Sequence, residues 1–209
     1  MEEAMNDLDF AALLVSRVCH DLVSPVGAVV NGLEVLEDER DATMRADALR
    51  LVTSSADQAA ARLQFARIAF GAAGSAGAEL DLNEIGRIVK GLSNGSKVEI
   101  DWQAAHVNWP KDWAKLLMNA TLLASDGLPR GGQVRVETSA DGAAPGFTVR
   151  ASGQGARMLE DVEKAMRGET GTALDGRSVQ AYLTHKLARG VNAGLTLTAR
   201  EGQIELVAG

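Results

Sequence analysis

Apolar residues recur at steps of three and four from the N-terminus: Leu8, Ala11, Val15, Val18, Leu22, Val26, Val29, Leu33 and Leu36. At about 100° per residue they form one stripe within about 40° of Leu22, the pattern of a long amphipathic helix. A second stripe passes through Met44, Ala48, Leu51, Ser55, Ala59, Leu63, Ala66 and Phe70, and the charged stretch EDERD, Glu37 to Asp41, separates the two. The pair reads as a helical hairpin. Two such helices cannot hide both stripes from water by packing on each other, so a second copy is expected to complete a four-helix bundle held by residues 5 to 70.

The pattern changes near residue 71. The small-residue run GAAGSAG, Gly71 to Gly77, reads as a helix stop and linker. Beyond it, Asp81 with Glu84 resembles a capping box opening a helix with Leu82, Ile85, Ile88, Val89 and Leu92 on one face. KVEIDWQ alternates like a half-buried strand, and Pro110 opens a helix through KDWAKLLMNATLLA. QVRVET and GFTVRA read as strands, Arg157 to Arg167 and Ser178 to Arg189 as helices, and GLTLTA and QIELVA as a closing pair around a turn at Arg200, Glu201 and Gly202. The fold class is therefore α+β: a hairpin over 1–71, a linker over 72–79, and an antiparallel-rich sheet with helices on one face over 80–209.

Composition narrows the function. The 209 residues carry a formal charge of −7 and no basic run, which argues against a nucleic-acid surface. With one cysteine, Cys19, and three dispersed histidines, neither an internal disulfide nor a zinc site is expected. The acidic start, and the charges of Arg17 and Asp21 within the first apolar stretch, argue against a signal sequence or membrane span, so a cytoplasmic protein is expected.

One histidine stands apart. His20 lies roughly 160° from the apolar stripe, with Ser16, Arg17, Ser24, Gly27 and Asn31 around it, so it is expected to face solvent. Asp21 can accept a hydrogen bond from one ring nitrogen and leave the other as a nucleophile. Ser24 follows one turn on, and Gly27 and Ala28 leave room for another protein to approach. Pro25 should stop a helix, yet the stripe continues in phase through Leu36, which implies a continuous helix with a local disturbance beside the histidine. Arg17 reads either as an ordinary surface charge or as a contact for an acidic partner. Cys19 reads as a small apolar filler, and His106 and His185 as surface or structural residues.

The stretch CHDLVSPVGA resembles the H-box of the dimerisation and histidine-phosphotransfer domain of sensor histidine kinases, and LLMNATLLASDGLPRGGQVRV is similar to their N-box and following strand, with Asn119 and Ala120 at its Asn-Ala pair. The second domain thus resembles a degenerate histidine-kinase ATP-binding domain of the Bergerat (GHKL) type. In the register of the family's D-x-G-x-G motif the chain reads ASGQG, with Ala151 replacing the adenine-binding aspartate and Gly153 and Gly155 retained. The phosphate-covering loop keeps Gly176 but continues with Arg177, Ser178, Val179 and Gln180, and Lys115 takes the first N-box position. Asn119 is read as a fold-keeping residue, and ATP binding is expected to be lost.

A kinase scaffold that keeps its histidine helix and loses its nucleotide site resembles the ChpT-like histidine phosphotransferases of bacterial cell-cycle phosphorelays, on CHDLVSPVGAVVNGLE and SGQGAR. The resemblance implies a homodimer that takes a phosphoryl group from the receiver domain of a hybrid histidine kinase onto His20 and passes it to response regulators. Asp21 and Ser24 would assist, and Arg17, Gly27, Ala28 and Asn31 would contact the partner. No cofactor of the chain's own is implied, the magnesium being supplied by the partner receiver. An ATP-dependent kinase fragment and a non-catalytic dimeric adaptor are the alternatives.

Overall fold

A computed structural model of the chain describes residues 6–71, 77–169 and 174–209. Two helices form the hairpin, α1 over Asp7–Asp38 and α2 over Ala42–Ala69. Each start has a side-chain cap: Asn6 accepts from the Asp9 amide, and Asp41 from the amides of Thr43 and Met44. Arg45 reaches back to the carbonyls of Leu36 and Glu39 and closes the connection. α1 runs unbroken through Pro25, as the phase of its stripe implies.

The intrachain seam is rotated from the stripe. The buried α1 residues are Pro25 and Gly32, about 60° to 80° round the helix from Leu22. Gly32 sets the approach of α2, because a Cβ there would stand 2.6 Å from Val52 Cγ2. Val15, Val26, Val30 and Leu33 of α1, and Met44, Leu49, Leu51 and Leu63 of α2, remain exposed on the single chain.

The second domain holds a five-stranded sheet in the order β2-β4-β5-β7-β6, from β2 (Val98–Gln103), β4 (Gly132–Thr138), β5 (Phe147–Ser152), β6 (Thr196–Arg200) and β7 (Gln203–Ala208). Only β2 and β4 run parallel. Two three-residue strands, β1 (Glu79–Asp81) and β3 (Asn108–Pro110), form a separate ladder that the sequence pattern did not indicate. Glu79 is thus already structured, so the expected linker over 72–79 is too long by at least that residue; positions 72–76 lie outside the described residues.

The helices are α3 (Leu82–Leu92), α4 (Lys111–Asp126), α5 (Glu160–Met166) and α6 (Ser178–Gly190). Asp81 caps α3 through the Asn83 amide. α5 starts three residues later than expected, because Arg157 to Leu159 instead line a cleft. Val134, Val136, Val149, Ala151, Ile204 and Leu206 of the sheet join Trp109, Leu116, Leu117 and Ala120 in the main core. A second cluster, with Phe65, Ile68 and Ala69 of α2 against Ile85, Ile88, Val89, Ala114 and Met118, fastens the hairpin to α3 and α4.

Candidate functional site

His20 projects from α1 with 87% of its side chain exposed, as its place on the helical wheel requires. Its Nδ1 lies 3.5 Å from Asp21 Oδ1, a long contact that orients the ring loosely and leaves Nε2 toward solvent. Ser16, Ser24 and Asn31 are exposed around it, and Gly27 and Ala28 are half-buried. A Cβ on Gly27 would meet nothing within 4 Å, so that surface has room for an approaching molecule. Cys19 is exposed, not the core filler expected.

Arg17 differs from both sequence expectations. Its side chain is only 12% exposed and is committed within the chain: Nε to Asp21 Oδ2 at 3.0 Å, Nη2 to Asp126 Oδ2 at 3.0 Å, and Nη1 to the Gly176 carbonyl at 3.3 Å. It is an internal strut, not a free surface charge awaiting a partner. Burial opposes its charge, but Asp126 and Asp21 outweigh burial and hold the guanidinium pKa above its ordinary value. Surrounding protein pushes the Asp126 carboxyl upward, with Arg17 pulling it back, although 47% of that side chain still faces the cleft. Arg17→Met should lower unfolding stability by about 1–3 kcal/mol, a buried-pair loss discounted for the water that reaches Asp126, as measured by urea denaturation.

The cleft beside the histidine has a volume of about 570 Å³. Ser16, Arg17, His20 and Asp21 form one wall; Asp126 and Gly127 at the C-terminal end of α4, Arg157 to Leu159, and Asp175 to Arg177 form the other. Asp126, Arg157 and Asp175 were not singled out from sequence. Nothing local marks them, since Asp126 is 109 residues from its partner Arg17.

Of the positions that resemble kinase motifs, Gly176 and Arg177 line this cleft, whereas Ala151, Asn119 and Lys115 do not. Ala151 is fully buried in β5, paired with Val134 and Ile204. At the α6 start, the Asp175 carboxylate accepts from the amides of Arg177 and Ser178 and from Ser178 Oγ. The Ser178 amide is the main cause holding its pKa below the ordinary carboxylate value. Asn119 is wholly buried and donates to the carbonyls of Ala69 and Lys115, and the Lys115 ammonium reaches the Gly71 carbonyl at 2.5 Å. Both N-box positions therefore clamp the end of α2 to α4. Among the described residues no cluster of His, Cys, Asp and Glu is placed to hold a metal. His185 Nδ1 bonds the Met166 carbonyl and His106 meets Asn83, and neither histidine lines the cleft.

An exposed, carboxylate-flanked histidine on a helical hairpin, set against an α+β domain, is the arrangement of a phosphotransfer protein. Residues 82–203 match the histidine phosphotransferase C-terminal domain family. Over 203 residues the chain is 41% identical to protein phosphotransferase ChpT of Brucella abortus (strain 2308), covering 94% of each chain. It also resembles a bacterial phosphotransferase of known structure, with TM-score 0.88, 36% identity, and 99% and 98% of the two chains covered. The histidine kinase domain of a blue-light-activated kinase from Erythrobacter litoralis is a looser likeness, at TM-score 0.48 and 16% identity, over 88% and 95%. The chain belongs to the ChpT-like histidine phosphotransferases.

Proposed function

We propose that this protein is the histidine intermediate of a multistep phosphorelay, shuttling phosphoryl groups between receiver-domain aspartates through His20 without ATP. The observation that carries the reading is the His20 side chain itself, 87% exposed on α1 beside Asp21 and at the edge of an open cleft. In the forward step the Nε2 lone pair attacks the phosphorus of an aspartyl phosphate in line. The N–P bond forms as the acyl P–O bond breaks, and the partner's aspartate leaves as a carboxylate. The Nδ1 proton stays on the ring, where Asp21 opposes the growing positive charge. The second transfer reverses these changes on another receiver. The magnesium that neutralises the moving group belongs, in this reading, to the receiver's acidic pocket.

Two features support independence from ATP. The position at which the resembling kinases hold adenine carries a buried methyl group, Ala151. The first amides of α6, which could cradle a phosphate, are already engaged by the Asp175 carboxylate, an anion that repels another. The exposed apolar residues of the hairpin support a homodimer whose second hairpin covers them. By length and composition α1 could also cross a membrane. The ion pair from Arg17 to Asp126 of the second domain, beside its pair with Asp21 within α1, favours the bundle over a span, and with it a cytoplasmic location.

The test is phosphoryl transfer from a radiolabelled phospho-receiver, run beside labelled ATP alone. Label is expected from the receiver and not from ATP. Direct labelling by ATP would make the chain a kinase, and no labelling from either would make it an adaptor.

A further inference from the structure

Pro25 has no N–H, so the carbonyl four residues earlier in α1, that of Asp21, loses its helical donor. Asp21 is half-buried, and a carbonyl there needs another partner. The structure supplies one from the other helix: Arg62 Nη1 donates to Asp21 O at 2.9 Å. The residue after the histidine is therefore held twice, by Arg62 on its main chain and by Arg17 on its carboxylate. Arg62 lines a cavity of about 360 Å³ behind the histidine helix, with Arg17, Asp21 and Asp126, so two cations face two carboxylates there. A guanidinium is suited to this place, because it stays charged and directs donors in a fixed plane.

We propose that Arg62 is a positioning residue for phosphotransfer: it takes the place of the hydrogen bond that Pro25 forfeits, fixes Asp21 in α1, and through Asp21 biases the orientation and tautomer of the His20 ring. The inference rests on His20 being the phosphoacceptor. Arg62 does not touch the reacting atoms; it holds the main-chain carbonyl of the residue whose carboxylate contacts Nδ1, and so favours the tautomer that presents Nε2 unprotonated.

The proposal predicts that Arg62 and Pro25 are coupled. In the full chain, Arg62→Met should slow labelling by a phospho-receiver by about tenfold and move the His20 tautomer populations, read from ring nitrogen NMR shifts, toward those of a free histidine. Arg62→Lys should recover part of both. With Pro25→Ala present, residue 25 regains an amide to donate to Asp21 O, so adding Arg62→Met should cost less than about twofold and leave the tautomer in place. Equal slowing in both backgrounds, or an unmoved tautomer in Arg62→Met, overturns the proposal. Should Arg62→Met fail to fold, the Pro25→Ala pair still decides it: a large effect of Arg62→Met there refutes the coupling. A His20→Ala chain that still accepts label would instead refute His20 as acceptor, while the tautomer measurement continues to report on Arg62.

Discussion

Replacing His20 by alanine is expected to abolish phosphoryl transfer while leaving the fold intact. Loss of the attacking atom cannot be made good by neighbours: Ser24 is an exposed hydroxyl, a weak nucleophile at neutral pH, and Asp21 is tied to Arg17. The fall should exceed about a thousandfold, as for other nucleophile deletions. The thermal transition should be unchanged within about 0.5 kcal/mol, because the ring buries little and its contact with Asp21 is 3.5 Å long. Label incorporation and a circular-dichroism melt on the same preparation measure both. Label retained in His20→Ala would sink the relay reading; label lost together with the fold would contradict the exposure of the ring.

The second large effect is on assembly. Val26 is 49% exposed in the single chain, among the apolar residues left open on the hairpin. In a two-fold bundle Val26→Asp would place a carboxylate from each copy in an apolar seam, at a cost of several kcal/mol. The dissociation constant should rise by about a thousandfold or more. In light scattering the wild type should show twice the 22.0 kDa chain mass and the variant one chain mass. The monomer should keep its helical signal, since α2 is fastened to α3 and α4 by an independent cluster. A monomeric wild type would refute the dimer.

Much of this molecule is legible in its sequence. The hairpin, the succession of the five main strands along the chain and the exposure of His20 follow from periodicities of 3.6 and 2, which long elements display over many residues; the arrangement of those strands in the sheet does not. β1 and β3 are too short to show any alternation. The stripe on α1 was legible as apolar but not as to which flank meets α2, because the seam depends on a single missing side chain, that of Gly32. The engagement of Arg17 is not legible, because local spacing shows a charge on a polar face and cannot show Asp126 and Gly176 folding back onto it. Pro25 did announce that Asp21 needed a donor, yet nothing near it in sequence points to Arg62, forty-one positions away.

The clamps from Asn119 and Lys115 to the end of α2, with Arg17 bridging α1 to Asp126, join hairpin and sheet at two separated places. The halves should therefore tumble as a single hydrodynamic body, giving α1 and the sheet the same rotational correlation time. A receiver docking as proposed would meet a cleft already braced from both sides, so the rate of phosphoryl exchange is expected to rise with receiver concentration rather than level off at a slow rearrangement within this chain.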